Sequence, residues 1–110
     1  MTREDNETWL IDVGDKVIMQ RTENPSARES PIERLIYCLW VADYGMRNAG
    51  DLTTASDLYA NFLLDGRRIS AELGLTATAD LFLLDTTEFE QTYFDIFDAV
   101  CTELRNAHLR

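Results

Sequence analysis

The chain has 110 residues, 45% of them hydrophobic, with twenty acidic against ten basic side chains and a net charge of −10. That length sets one domain with a core of its own, and two Trp, four Tyr and five Phe exclude a disordered chain. Acidity of this degree opposes direct binding to nucleic acid or to an anionic membrane, and is compatible with a basic protein partner.

Residues 1–6 are polar and are expected to be disordered. The charged opening MTREDNETW lacks an apolar signal segment, which points to a cytoplasmic protein. From Thr8 to Gln20, Leu10, Val13, Val17 and Ile18 fall at helical spacings. Gly14 weakens that helix by about 1 kcal/mol relative to Ala. A hairpin with TWLI and KVIMQ flanking DVGD is the alternative; the stripe continues across Gly14 and favours the helix. Thr22 to Glu29 reads as a loop, because Pro25 pushes Asn24 out of helical geometry.

The central element begins at Ser30. Ser30, Pro31 and Glu33 form a capping-box signature with Pro at the first helical position. Leu35 to Ala42 is an eight-residue run without a charge. At about 100° per residue, its apolar groups cover nearly the whole circumference, which marks a buried helix. The run is far shorter than the ~20 residues of a membrane span. Asp43 falls on the apolar side, in line with Ile36 and Leu39. A buried carboxylate needs partners. The candidates are the N–H groups of a tight turn permitted by Gly45, Ala49 and Gly50, the Arg47 side chain four residues on, and Asn48. The group Asp43, Arg47 and Asn48 either pins this turn or lines a ligand or partner site.

This stretch resembles a motif of a known family. Asp43 to Gly50, DYGMRNAG, follows an apolar helix opened by a Ser-Pro-x-Glu cap. It is similar to the pattern Asp-x-Glu-Val-x-Asn-Gly-Gly-Phe of a family of small acidic helical bacterial proteins that includes a DNA mimic. Asp43, Asn48 and Gly50 match; Gly45, Ala49 and Asp51 stand where Glu, Gly and an aromatic occur. The resemblance spans about residues 9–75. It implies a helical fold and an acidic, non-enzymatic protein that binds a basic macromolecular partner, a DNA-binding regulator or a toxin.

After Gly50, Asp51 or Thr53 caps a further helix. Its stripe of Ala55, Leu58, Tyr59, Phe62 and Leu63 continues through Ile69 and Leu73. Gly66 is the expected kink or break, and Gly74 the stop. Arg67 and Arg68 read as a solvated face or as partners of Asp65 or Glu72. Thr76 or Thr78 opens a short helix carrying Leu81 to Leu84. Asp85 and Glu88 then start the last helix, which runs from about Thr87 to about Ala107. Phe89, Tyr93, Ile96, Phe97, Val100 and Leu104 share one arc of it, while Glu88, Asp95 and Asp98 point away. Cys38 and Cys101 both fall in helices and read as buried free thiols.

The fold expected is all-α, a single domain of about five helices packed around a buried central helix at about residues 31–44. The only His, at position 108, lies near the end of the chain and supports neither a metal cluster nor a catalytic dyad. No nucleotide fingerprint is present, so no cofactor and no metal are expected. From Ile69 to Leu104 there are eight acids and no base. Asp85, Glu88, Asp95 and Asp98 are the expected negative surface for a basic partner. Duplex DNA carries about one charge per 1.7 Å, denser than any one helix supplies, so mimicry needs acids from several helices or from two copies. The alternatives are a small-molecule-binding or hydrolytic pocket at the Asp43–Gly50 turn, and a homodimer marked by exposed apolar residues in 52–63.

Overall fold

The computed structural model describes residues 3–24 and 29–109. Six helices follow one another among them: α1 (Arg3–Glu23), α2 (Pro31–Ala49), α3 (Thr53–Leu58), α4 (Phe62–Leu73), α5 (Thr76–Leu83) and α6 (Thr86–His108). They close on one core cluster, and the fold is all-α. Among the described residues, no helix is long and apolar enough to cross a membrane.

The Ser30 signature produces the start of α2. The Glu33 N–H donates to Ser30 Oγ at 3.3 Å, and the Ser30 N–H donates to Glu33 Oε1 at 3.0 Å. Pro31 occupies the first turn, where its missing N–H leaves no bond unmade. Leu35, Ile36, Leu39, Val41 and Ala42 have no exposed surface. As expected of the hub, α2 packs against α1, α3, α4 and α6. Its C-terminal half departs from the expectation. The helix does not turn at Gly45 but runs on to Ala49, and Gly50 at φ 74° ends it with its N–H on Met46 O. Gly45 instead lets the returning chain lie against the helix, since a Cβ there would stand 2.9 Å from the Asp51 carbonyl oxygen.

α1 is one continuous helix across the stretch that could have been a hairpin. Its buried line is Asn6, Leu10, Gly14 and Val17, and Gly14 is the point where the Trp40 indole rests on α1. The disorder expected for residues 1–6 gives way to helix from Arg3 onward, and residues 1–2 lie outside the described residues. The reason is nonlocal: Asn6 is buried, its Nδ2 donates to Asp98 Oδ1 at 3.0 Å, and its Oδ1 accepts from Arg105 at 3.2 Å. The expected loop begins later than Thr22, which is still helical; its Pro25 lies outside the described residues.

Six helices replace about five because the third stretch breaks at Tyr59, not at Gly66. Tyr59 leaves the helix at φ −153°, ψ 90°. Its ring stacks on Tyr37 of α2 at 5.4 Å, and its hydroxyl donates to Asp65. Gly66 stays inside α4, because the buried Phe82 ring of α5 occupies the space of a Cβ. Gly74, at φ 70°, stops α4 as expected. Asp85 Oδ1 accepts from the Glu88 N–H at 2.8 Å and starts α6, which buries Phe89, Tyr93, Phe97, Val100, Cys101 and Leu104.

Candidate functional site

Asp43 lies where the helical spacing puts it, on the inner side of α2 with 5% of its surface exposed. Arg47, one turn on, places its Nε 2.9 Å from both carboxylate oxygens. The second partner comes from α6: the Tyr93 hydroxyl donates to Asp43 Oδ1 at 2.6 Å. Arg47 also reaches Glu7 of α1 at 3.0 Å and lies over the Phe94 and Phe97 rings at 5.3 and 5.1 Å. One carboxylate thus joins three helices through a guanidinium and a phenol.

Two of the expected partners of Asp43 are absent from this set. The turn N–H groups remain committed to the helix, because α2 continues past Gly45. Asn48 donates to Tyr44 O at 2.7 Å and makes no bond to Asp43. The sequence pattern places Tyr93 only in the core stripe of α6. A signal was present: a Tyr between Phe89 and Phe97 on a buried stripe brings a hydroxyl that needs a partner.

Burial pushes the Asp43 carboxyl above its ordinary value, and the Tyr93 hydrogen bond and Arg47 recover only part of that rise. Burial, then the neighbouring Asp43 carboxylate, holds the Tyr93 phenol well above its ordinary value. Burial lowers the Arg47 guanidinium, but Asp43 and then Glu7 outweigh it and hold it above its usual value. The phenol therefore stays protonated as donor and the guanidinium stays charged. This is the chemistry of a clamp.

Beside the clamp, an open groove of about 230 Å³ runs between α1 and α2. Ile11 and Asp15 form one wall and Trp40 and Tyr44 the other, with Arg47 at one end. The Trp40 and Tyr44 rings stack at 5.6 Å with 22° between their planes. Trp40 in turn stacks on Tyr37 at 6.3 Å, so the rings form a ladder along α2.

The four acids expected to form a negative surface are divided by the fold. Glu88 and Asp95 are exposed on α6. Asp85 is exposed but spends its carboxylate on the helix start. Asp98 does not point away: it is half-buried against Asn6 of α1. Two more acids of the base-free span serve the interior. Glu90 accepts from the Leu52 N–H at 2.9 Å, and Glu103 accepts from the Ala77 and Thr78 N–H groups and the Thr78 hydroxyl at 2.8–2.9 Å. A second acidic face lies outside the base-free span. On α1, Glu4, Asp5, Asp12 and Asp15 are exposed, opposite the buried line from Asn6 to Val17. Their helical spacing was the available signal.

Of the adjacent bases, Arg68 lies 3.4 Å from Glu72 and 3.7 Å from Asp65, and Arg67 donates to Phe82 O. Both cysteines are buried and free. Among the described residues, no group of three His, Cys, Asp or Glu is placed to hold a metal ion. No protein-family model, no curated protein and no solved structure matches the chain.

Proposed function

We propose that this chain is an acidic binding protein that engages a basic macromolecular partner, of the DNA-mimic, regulator-binding or immunity type. The observation that carries the reading is the set of acids the fold does not use to hold itself together. Glu4, Asp12 and Asp15 on α1 and Glu88 and Asp95 on α6 are exposed, in a chain of net charge −10. An anionic surface of this kind speeds encounter with a cationic partner and makes the association sensitive to salt. The family resemblance at Asp43 to Gly50 supports the same reading, and the two buried reduced thiols suit a cytoplasmic setting. DNA mimicry proper requires acids of α1 and α6 to act together or in two copies of the chain.

A small-molecule or hydrolytic pocket at the Asp43–Gly50 segment has less support. Asp43 is already bound by Arg47 and Tyr93, and the adjacent groove is smaller than the roughly 300–1,000 Å³ of drug-sized ligand sites.

The test is capture from the native cell on the immobilised full chain. A basic protein is expected to be retained at low salt and released at about 0.5 M salt, where the screening length is only a few ångströms. Retention of nothing, or of a partner indifferent to salt, overturns the reading.

A further inference from the structure

We propose that the groove between α1 and α2 receives an arginine side chain of the basic partner, with its guanidinium on the exposed face of the Tyr44 ring, at the end of the ladder beside Trp40, and against the Asp15 carboxylate. The inference rests on the binding reading above and names the point of contact.

The protein itself supplies the pattern. Arg21 lies 4.4 Å from the Tyr37 ring centroid and pairs with Glu29 at 2.7 Å. Arg47 lies over Phe97 and pairs with Asp43. In both, a guanidinium is held by a ring face and a carboxylate together, the arrangement its planar, weakly hydrated charge favours; Arg105, 5.7 Å from the Trp9 ring, takes the Asn6 amide oxygen in place of a carboxylate. The groove offers both parts again. Trp40 and Tyr44 continue the ladder that Arg21 caps at Tyr37, Tyr44 is 44% exposed, and Asp15 stands exposed on the facing wall. Among the described residues, no cation lies over either ring.

Charge and size select the occupant. The carboxylates of Asp43 and Glu7 already neutralise Arg47 at the groove's end, which leaves the local balance negative with Asp15. Lys16, the base nearest Asp15 in the chain, is exposed on α1 and does not line the groove. A volume of about 230 Å³ suits one long side chain and not a helix or a strand. Ile11, 49% exposed at the rim, offers apolar surface for the methylene stem of such a side chain.

The experiment is an NMR titration of the full chain at low salt with nona-arginine and, separately, nona-lysine. The largest arginine-peptide shifts are expected at the Trp40 indole N–H, Tyr44 and Asp15, with weaker binding of the lysine peptide. Asp15→Asn and Tyr44→Ala, both at exposed positions, are expected to weaken nona-arginine binding about five- to tenfold, while Glu88→Gln has a smaller effect. If the peptide binds but shifts only the outer acids of α1 and α6, or if both groove variants bind like the unaltered chain, the groove assignment falls and the acidic-binding reading stands. If neither peptide binds, both fall. Shifts at Trp40 and Tyr44 that grow with protein concentration alone identify a second copy as occupant and also overturn the assignment.

Discussion

The Tyr93 hydroxyl of α6 meets the Asp43 carboxylate of α2 at 2.6 Å, with both side chains inside the core. The bond ties the central helix to the terminal one, although 50 residues separate the pair. Tyr93→Phe keeps the ring stacked on Phe89 and removes only the donor. It is expected to cost about 1–3 kcal/mol, the penalty for a buried charged acceptor that loses a partner. Urea unfolding measures this as a lower midpoint with an unchanged slope. An unchanged midpoint would show that Arg47 alone satisfies Asp43.

The raised Asp43 carboxyl has a consequence for pH. Its ordinary value is 3.8, and burial holds it higher in the folded chain. The folded protein therefore binds this proton more tightly than the unfolded chain does. The contribution is fully present below the ordinary value and is lost as pH rises through the folded value. Asp43→Asn carries no such proton, and the other carboxylates are common to both proteins. The stability of the unaltered chain minus that of the variant is expected to shrink with rising pH, over a window that opens at the ordinary carboxylate range. Urea curves between about pH 3 and about pH 7 follow the difference across that range. A difference that grows with pH reverses the sign and makes attraction to Arg47 the dominant influence.

Two glycines test how closely the helices approach. A Cβ on Gly66 would lie 2.5 Å from the Phe82 ring, and one on Gly14 would lie 2.2 Å from the Trp40 ring. Each Gly→Ala change gains about 1 kcal/mol of helix propensity. Phe82 is enclosed, so overpacking of about 1–3 kcal/mol outweighs that gain at Gly66. Trp40 is only half-buried and opens onto the groove. Gly14→Ala is therefore expected to cost less and to shift the Trp fluorescence as the indole moves outward. A stabilised Gly66→Ala variant contradicts the close packing of α4 on α5.

These particulars separate what local sequence carries from what it does not. The start of α2 was legible because Ser30, Pro31 and Glu33 act within one turn, and the stop at Gly74 because it needs only one left-handed residue. The break at Tyr59 was not legible. It comes from a ring stacked on Tyr37 and a hydroxyl bound to Asp65, and no local breaker residue marks it. The same holds for the acids. Asp85 revealed its role three residues before Glu88, whereas Glu90 and Glu103 bind N–H groups 38 and 25–26 residues away. At the candidate site, helical spacing found Asp43 and Arg47, but Tyr93 lay in the core stripe of a distant helix.

Burial pushes the Cys38 and Cys101 thiols up to about 12 in each case, with the Asp65 and Asp43 charges adding to it respectively. The thiolate is the reactive form. Both cysteines are expected to resist a disulfide reagent at neutral pH in the folded chain and to react promptly in denaturant. The labelling rate then reports opening of the core, and Tyr93→Phe, which removes the bond between α6 and α2, should raise it. Rapid labelling of the folded protein would place a thiol at the surface.

The sharpest division is between acids that hold the fold and acids that face outward. Glu103 receives three hydrogen bonds at the start of α5, a helix whose own first residues supply no side-chain cap. Glu103→Gln keeps the shape but turns an amide N–H or a weaker oxygen towards those donors and removes a negative charge from the helix N-terminus. A loss of about 1–3 kcal/mol is expected, with faster hydrogen exchange at Ala77 and Thr78. Glu88→Gln and Asp95→Asn remove charges of the same sign from exposed positions of α6. They are expected to lower the unfolding midpoint far less than Glu103→Gln, since only Glu88 gives up a favourable place in the first turn of α6, and to flatten the salt dependence of binding to a basic partner. A double variant that unfolds early would return Glu88 and Asp95 to the fold; one that binds with undiminished salt dependence would remove α6 from the interface and leave it to α1.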